Sequence, residues 1–259
     1  MKITFLITLL SLLLPVLAQA DGFPGRTTYP RVKVLETEQL NQQYDNVEII
    51  DVRSTLEFQT LHINKAKNIP LNNRSFLKQV KALQSSGQPI VFYCNGHTCY
   101  KSYKAAKKAR KSGIKNVFAY DAGVFDWARA YPDKATLLGQ TPLDPDKLIS
   151  KDEFKKYLLE PAEFNAKVTD SSLILDIREP TQRGLLELFP YRQESIAMAD
   201  PQKLRKFLQA VKKSGRPLLV YDEVGKQVRW LQYYLQDLGI KDYYFLKGGV
   251  KNFFKSLRS

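Results

Sequence analysis

Val47-Glu-Ile-Ile-Asp-Val-Arg53 returns far downstream as Ser172-Leu-Ile-Leu-Asp-Ile-Arg178. Three further blocks follow it in the same order. Ser86-Gly-Gln-Pro-Ile-Val-Phe-Tyr93 returns as Ser214-Gly-Arg-Pro-Leu-Leu-Val-Tyr221. Gly113-Ile-Lys-Asn-Val-Phe-Ala-Tyr120 returns as Gly239-Ile-Lys-Asp-Tyr-Tyr-Phe-Leu246, and Ala122-Gly-Val-Phe-Asp-Trp127 as Gly248-Gly-Val-Lys-Asn-Phe253. A shared offset of about 126 residues marks an internal duplication. The chain carries two copies of one unit.

Each copy reads as α/β. Ile49-Ile50, Pro89 to Phe92 and Val117 to Tyr120 are short apolar runs of the kind that form strands buried on both faces. Helical stretches are predicted between them, over Arg74 to Gln84 and Tyr100 to Lys111. The second of these keeps Ala105, Ala106 and Ala109 on one side and lysines on the other, and Gly113 stands where a helix ends. Strands alternating with helices imply right-handed crossovers and a parallel sheet covered on both faces. The fold class is therefore α/β, in two tandem domains. The boundaries read as 21–136 and 146–259, with the polar, proline-containing stretch 137–145 as linker.

Residues 1–20 are set apart from the fold. Met1-Lys2 is a short positive start, Thr4 to Leu17 is apolar, and Ala18-Gln19-Ala20 is a small-x-small cleavage pattern. The apolar run is short for a membrane span and lacks basic stop-transfer residues. The expectation is a signal peptide, export to the bacterial periplasm, and no stable membrane insertion. The formal net charge of +14 favours anionic partners, set against a merely solvated basic surface. Export argues against nucleic acid. No metal site and no cofactor are expected.

The chain has two cysteines, Cys94 and Cys99. A bridge between them would close a very short loop and restrict the unfolded chain little, so a chemical role is the better account than a structural staple. Cys94 follows the strand that ends at Tyr93, and the loop leads into a lysine-rich helix. Ligands bind where strand C-termini meet helix N-termini in such sheets. Backbone N–H groups there stabilise an anion and lower the pKa of a thiol. Such a thiolate attacks an anionic sulfur donor, holds the sulfur as a persulfide and passes it to a thiol acceptor.

Asp51-Val52-Arg53 with Glu57-Phe58, His62-Ile63 and Asn68-Ile69-Pro70-Leu71, followed by the Cys94 loop and Ala122 to Trp127, resembles the rhodanese family over nearly all of copy one. In copy two, Asp176 to Pro180 and Leu246 to Val250 match and Thr181 to Ala199 diverges. The resemblance implies sulfurtransferase chemistry, with Cys94 as the persulfide-carrying nucleophile. It also places Asp51 and Arg53 beneath the loop, either as its braces or simply as a structural ion pair, and His62 at a structural position. The loop Cys94-Asn-Gly-His-Thr-Cys-Tyr-Lys-Ser102 departs from the family's C-x-x-G-x-R-S, putting Lys101 in place of the arginine and two residues late. Lysine lacks the planar fork of arginine, so a generic thiosulfate specificity is not expected. The C-x4-C-aromatic pattern is similar to a periplasmic subset of the family.

Asn95, Gly96, His97, Thr98 and Lys101 are the candidate substrate-binding residues. Cys99 reads either as a resolving thiol that forms a Cys94–Cys99 disulfide or as a small filler of the loop. His97 reads as a proton relay or as a solvent-exposed loop histidine. Asp222 stands at the cysteine position of copy two and cannot accept sulfane sulfur. That copy therefore reads as catalytically silent, either covering a face of copy one or recognising a protein partner in the periplasm.

Overall fold

The computed structural model describes residues 22–184 and 187–258. The expected signal peptide lies outside them. The first sheet is formed by β1 (Glu48–Asp51), β3 (Lys67–Asn68), β4 (Ile90–Tyr93) and β5 (Val117–Tyr120). All are parallel, in the order β3-β1-β4-β5. A parallel bridge from Val34 to Ala119 extends it beyond β5. A separate antiparallel pair joins β2 (Leu61–Ile63) to β6 (Ala135–Leu137). The stretch read as the linker thus begins on a paired strand, and its Leu143 is buried.

The second sheet holds β7 (Leu158–Leu159), β8 (Leu173–Asp176), β9 (Gln193–Ser195), β10 (Leu218–Tyr221) and β11 (Tyr243–Leu246). Its order is β7-β11-β10-β8-β9, again all parallel. Replacing β7 by the Val34 bridge superposes this order on the first sheet. The duplication seen in the sequence is a duplication of topology.

Local chemistry accounts for the element limits. Pro89 has no N–H to donate, and β4 starts one residue later, while the Pro89 carbonyl accepts from Glu48 N–H at 2.8 Å. The helix expected over Arg74 to Gln84 is shorter, Phe76–Ala82, and tightens into a 3-10 turn, Leu83–Ser86, that ends at left-handed Gly87. The helix Lys101–Lys111 buries its predicted apolar face, Ala105, Ala106 and Ala109, and Tyr103 besides.

Three apolar clusters organise the molecule. One fills the outer side of the first sheet, around Phe76, Phe92 and Ala106. Another fills the outer side of the second, around Phe164, Leu219 and Leu246. The largest runs between the copies and contains Trp127 and Leu175, Ile177, Trp230 and Leu231 alike. Phe125 stacks on Trp230 across this seam with ring centroids 5.7 Å apart. The helices Thr55–Thr60 and Val228–Asp237 also meet there. Among the described residues, no helix is long and apolar enough to cross a membrane.

Candidate active site

Asp51, Tyr93 and Tyr120 are register partners at the C-terminal ends of β1, β4 and β5. The loops that leave these ends converge. Cys94 follows β4 directly and is 1% exposed. Its carbonyl accepts from Val124 N–H at 3.0 Å, tying it to the opening turn of the helix Gly123–Ala130. Gly123 has φ of +74°, and a Cβ there would lie 2.4 Å from the Gly96 nitrogen. Glycine is therefore required for the two loops to touch.

Cys94 and Cys99 are paired as a disulfide, their Cα atoms 6.4 Å apart. Cys94 Sγ lies 3.1 Å from the Cys99 carbonyl oxygen and 3.9 Å from Ser102 Oγ. Cys99 is half-buried. Beside it opens a cleft of about 610 Å³ that Cys99 lines and Cys94 does not. Of the pair, Cys99 is the more exposed residue and the one that lines the cleft.

Asp51 and Arg53 are fully buried and bonded to each other by two prongs, with Arg53 Nε 2.9 Å from Oδ1 and Nη2 2.5 Å from Oδ2. The pair reaches the loop, because Arg53 Nη1 donates to Asn95 Oδ1 at 3.1 Å. Asn95 Nδ2 in turn donates to Glu57 Oε1 at 3.0 Å. The loop is thereby pinned from beneath by an ion pair that is also structural. Burial pulls the Arg53 guanidinium down, but Asp51 overrides it and holds the group above the usual arginine value. Burial pushes the Glu57 carboxyl up; Arg53, Lys101, Asn95 and the Ser54 N–H together outweigh that and hold it below the usual glutamate value.

His97 is not a free loop histidine. Its Nε2 lies 2.7 Å from Asp126 Oδ2 and its ring stacks on Phe23. Asn95, Gly96, His97 and Thr98 line the cleft. Lys101 does not; its ammonium lies 3.9 Å from Glu57 Oε2. His62 is structural, its Nδ1 2.8 Å from the Phe58 carbonyl. Asp126, Arg129, Lys151 and Arg229 also line the cleft; Asp126 falls within the duplicated Ala122 to Trp127 block, and the other three carry no motif in the sequence. Lys151 and Arg229 belong to copy two.

The second copy shows what such a loop holds. Asp222 replaces the cysteine, and its carboxylate accepts from the backbone N–H groups of Val224, Gly225, Gln227 and Val228. Val250 N–H reaches the Asp222 carbonyl at 2.9 Å, as Val124 reaches Cys94. An anion at the end of this central strand sits in a nest of amides. A family profile described as Rhodanese-like domain matches residues 36–130 and 160–256.

The chain belongs to the rhodanese-like family.

This rhodanese-like chain is 33% identical over 96 residues to the uncharacterized protein YqhL of Bacillus subtilis, covering 37% of this chain and 72% of that one. It is 32% identical over 93 residues to the uncharacterized protein slr1261 of Synechocystis, covering 36% of this chain and 49% of the relative, about half its length. Among solved structures, a thiosulfate sulfurtransferase from Pseudomonas aeruginosa aligns over 88% of this chain and 46% of its own, with 20% identity and a TM-score of 0.38.

Proposed function

We propose that this rhodanese-like protein is an exported sulfur carrier in which Cys94 takes up sulfur and Cys99 resolves it. The observation that carries this reading is the Cys94–Cys99 pair at the end of the central strand, on a loop whose counterpart in copy two cradles a carboxylate. In the dithiol form, the Cys94 thiolate attacks a sulfane sulfur. The bond from that sulfur to the rest of the donor breaks, and the remainder leaves with the electron pair. The resulting Cys94 persulfide has two fates. An acceptor thiolate attacks the outer sulfur and leaves with it, regenerating the Cys94 thiolate. Alternatively, the Cys99 thiolate attacks Cys94 Sγ, hydrosulfide departs, and the disulfide forms. A thiol reductant reopens it.

Intact mass spectrometry of the reduced protein after exposure to sulfane donors tests the cycle. Wild type and Cys99→Ser should gain a sulfur atom, the latter holding it longer, while Cys94→Ser should gain none. Equal sulfur uptake by Cys94→Ser and wild type would sink the assignment. A second reading, a thiol–disulfide redox protein, is favoured by the deep burial of Cys94 and the exposure of Cys99 to the cleft. It requires both single cysteine variants to be equally inactive and no sulfur to be carried. Export, read from residues 1–20, is tested by the mass of the protein recovered from a periplasmic fraction.

A further inference from the structure

The cleft beside Cys99 is lined from both copies. Phe125, Asp126 and Arg129 come from the first, Ser150, Lys151 and Arg229 from the second. Arg229 sits in the opening turn of the helix Val228–Asp237. Its Nη2 donates to the Ile149 carbonyl at 3.0 Å, and its guanidinium carbon lies 4.6 Å from the centroid of the Phe125 ring. Its Nε is buried and has no hydrogen-bond partner among the described residues.

Nothing among the described residues neutralises Arg229. Burial first, opposed by Tyr233 and joined by the like charge of Arg129, holds its guanidinium below the usual arginine value. Arg129 lies 3.6 Å from Asp126, but that carboxylate is already engaged by His97 at 2.7 Å. Arg129, Arg229 and Lys151 thus line the cleft with Asp126 as its one lining carboxylate, and that carboxylate is shared twice over. Keeping a half-buried guanidinium without a counter-charge costs stability, and the contact with Phe125 offsets only part of it. An anion in the cleft would complete the group.

The shape of the cleft narrows the choice of anion. About 610 Å³ lies in the range occupied by organic ligands and far exceeds the needs of a small inorganic oxyanion. The cations come from both copies, Arg129 from the first and Arg229 with Lys151 from the second, and a group of three positive charges suits two carboxylates on one skeleton. The arginine forks match carboxylates in two-pronged geometry.

We propose that Arg229, with Arg129 and Lys151, binds the carboxylates of an organic thiol or its persulfide, so that the cysteine-less second copy sets the specificity of the first copy's site. This rests on the sulfur cycle proposed above. A bound thiolate attacks Cys99 Sγ, the Cys94–Cys99 bond breaks, and Cys94 leaves as thiolate. A second thiolate of the same kind then attacks the ligand's sulfur in the mixed disulfide, frees the Cys99 thiolate and departs as the oxidised ligand disulfide. Two thiols are oxidised and one protein disulfide is reduced.

Binding is tested on the full chain by calorimetric titration with methylthiosuccinate, a dicarboxylate that cannot exchange with a disulfide, against the neutral 2-(methylthio)ethanol. Wild type should bind the dicarboxylate saturably and the neutral thioether not at all. Arg229→Gln and Arg129→Gln should each weaken binding by roughly tenfold or more, whereas Lys255→Gln, which lines a different pocket, should not. Should Arg229→Gln not fold, Arg229→Lys, which keeps the charge and loses the fork, must still bind more weakly than wild type. In kinetics, mercaptosuccinate should open the wild-type disulfide faster than 2-mercaptoethanol, and Arg229→Gln should lose that preference. No saturable binding to wild type, or unaltered binding to both Arg129→Gln and Arg229→Gln, overturns the proposal. The titration involves no sulfur chemistry, so binding without sulfur uptake removes only the sulfur cycle, and sulfur uptake without binding removes only the role of Arg229.

Discussion

Single residues beneath the loop carry more than their position in a motif indicates. Asp51 faces Arg53 with both groups fully buried, so removing one leaves an uncompensated charge in the interior. Asp51→Ala should cost about 3–5 kcal/mol, read as a lowered urea midpoint, and the double change Asp51→Leu with Arg53→Met should cost less than the single one. Glu57 gives a pH signature. A carboxyl whose folded pKa is lowered contributes stability above its unfolded value, about 4.3 for glutamate, and loses it as pH falls through the folded value. The stability gap between wild type and Glu57→Gln should therefore be full at neutral pH and close under acid, measured by denaturation across a pH series. A gap that widened in acid would contradict the network. The family resemblance offered Asp51 and Arg53 either as loop supports or as a structural ion pair, and in the structure the buried pair also reaches Asn95 of the loop. The partnership of His97 with Asp126 was not legible in the sequence, because it joins the Cys94 loop to the helix Gly123–Ala130, whose approach is set by the sheet.

At the scale of the element, the strand-to-helix loop is an amide nest, and its two versions differ in what fills it. In copy two the filler is the chain's own Asp222 carboxylate, held by N–H groups from Val224 to Val228. Asp222→Ala leaves those donors without a partner in a buried turn and should destabilise the protein by about 2–3 kcal/mol, measured by thermal or chemical unfolding. Sulfur uptake at Cys94, on the other copy, should persist in that variant. The strands and helices themselves followed from apolar runs and caps, as with Val117–Tyr120, found where expected. The extra pair β2–β6 escaped notice because Leu61–Ile63 and Ala135–Leu137 are too short and too far apart in sequence to signal each other.

At the scale of the molecule, the two copies share one apolar cluster. Trp230 is nearly buried, stacks on Phe125 and lies over Arg53, with the guanidinium carbon 5.3 Å from its ring. Trp230→Ala should cost about 3–5 kcal/mol and resolve a single unfolding transition into two, seen by calorimetry. A single unshifted transition would mean the seam does not couple the copies. The sequence by itself determined the duplication, the α/β class, the family resemblance and the cysteine-bearing loop. The duplication is written as the same blocks recurring in one order, and the rest as apolar periodicity, spacing and turn residues within one copy. Only the tertiary structure decided that Cys99 faces a cleft while Cys94 is buried, that Lys101 turns to Glu57, and that Arg229 joins the site. The physical reason is that the direction of a side chain at a seam depends on how two separately encoded units pack, and no local pattern records that.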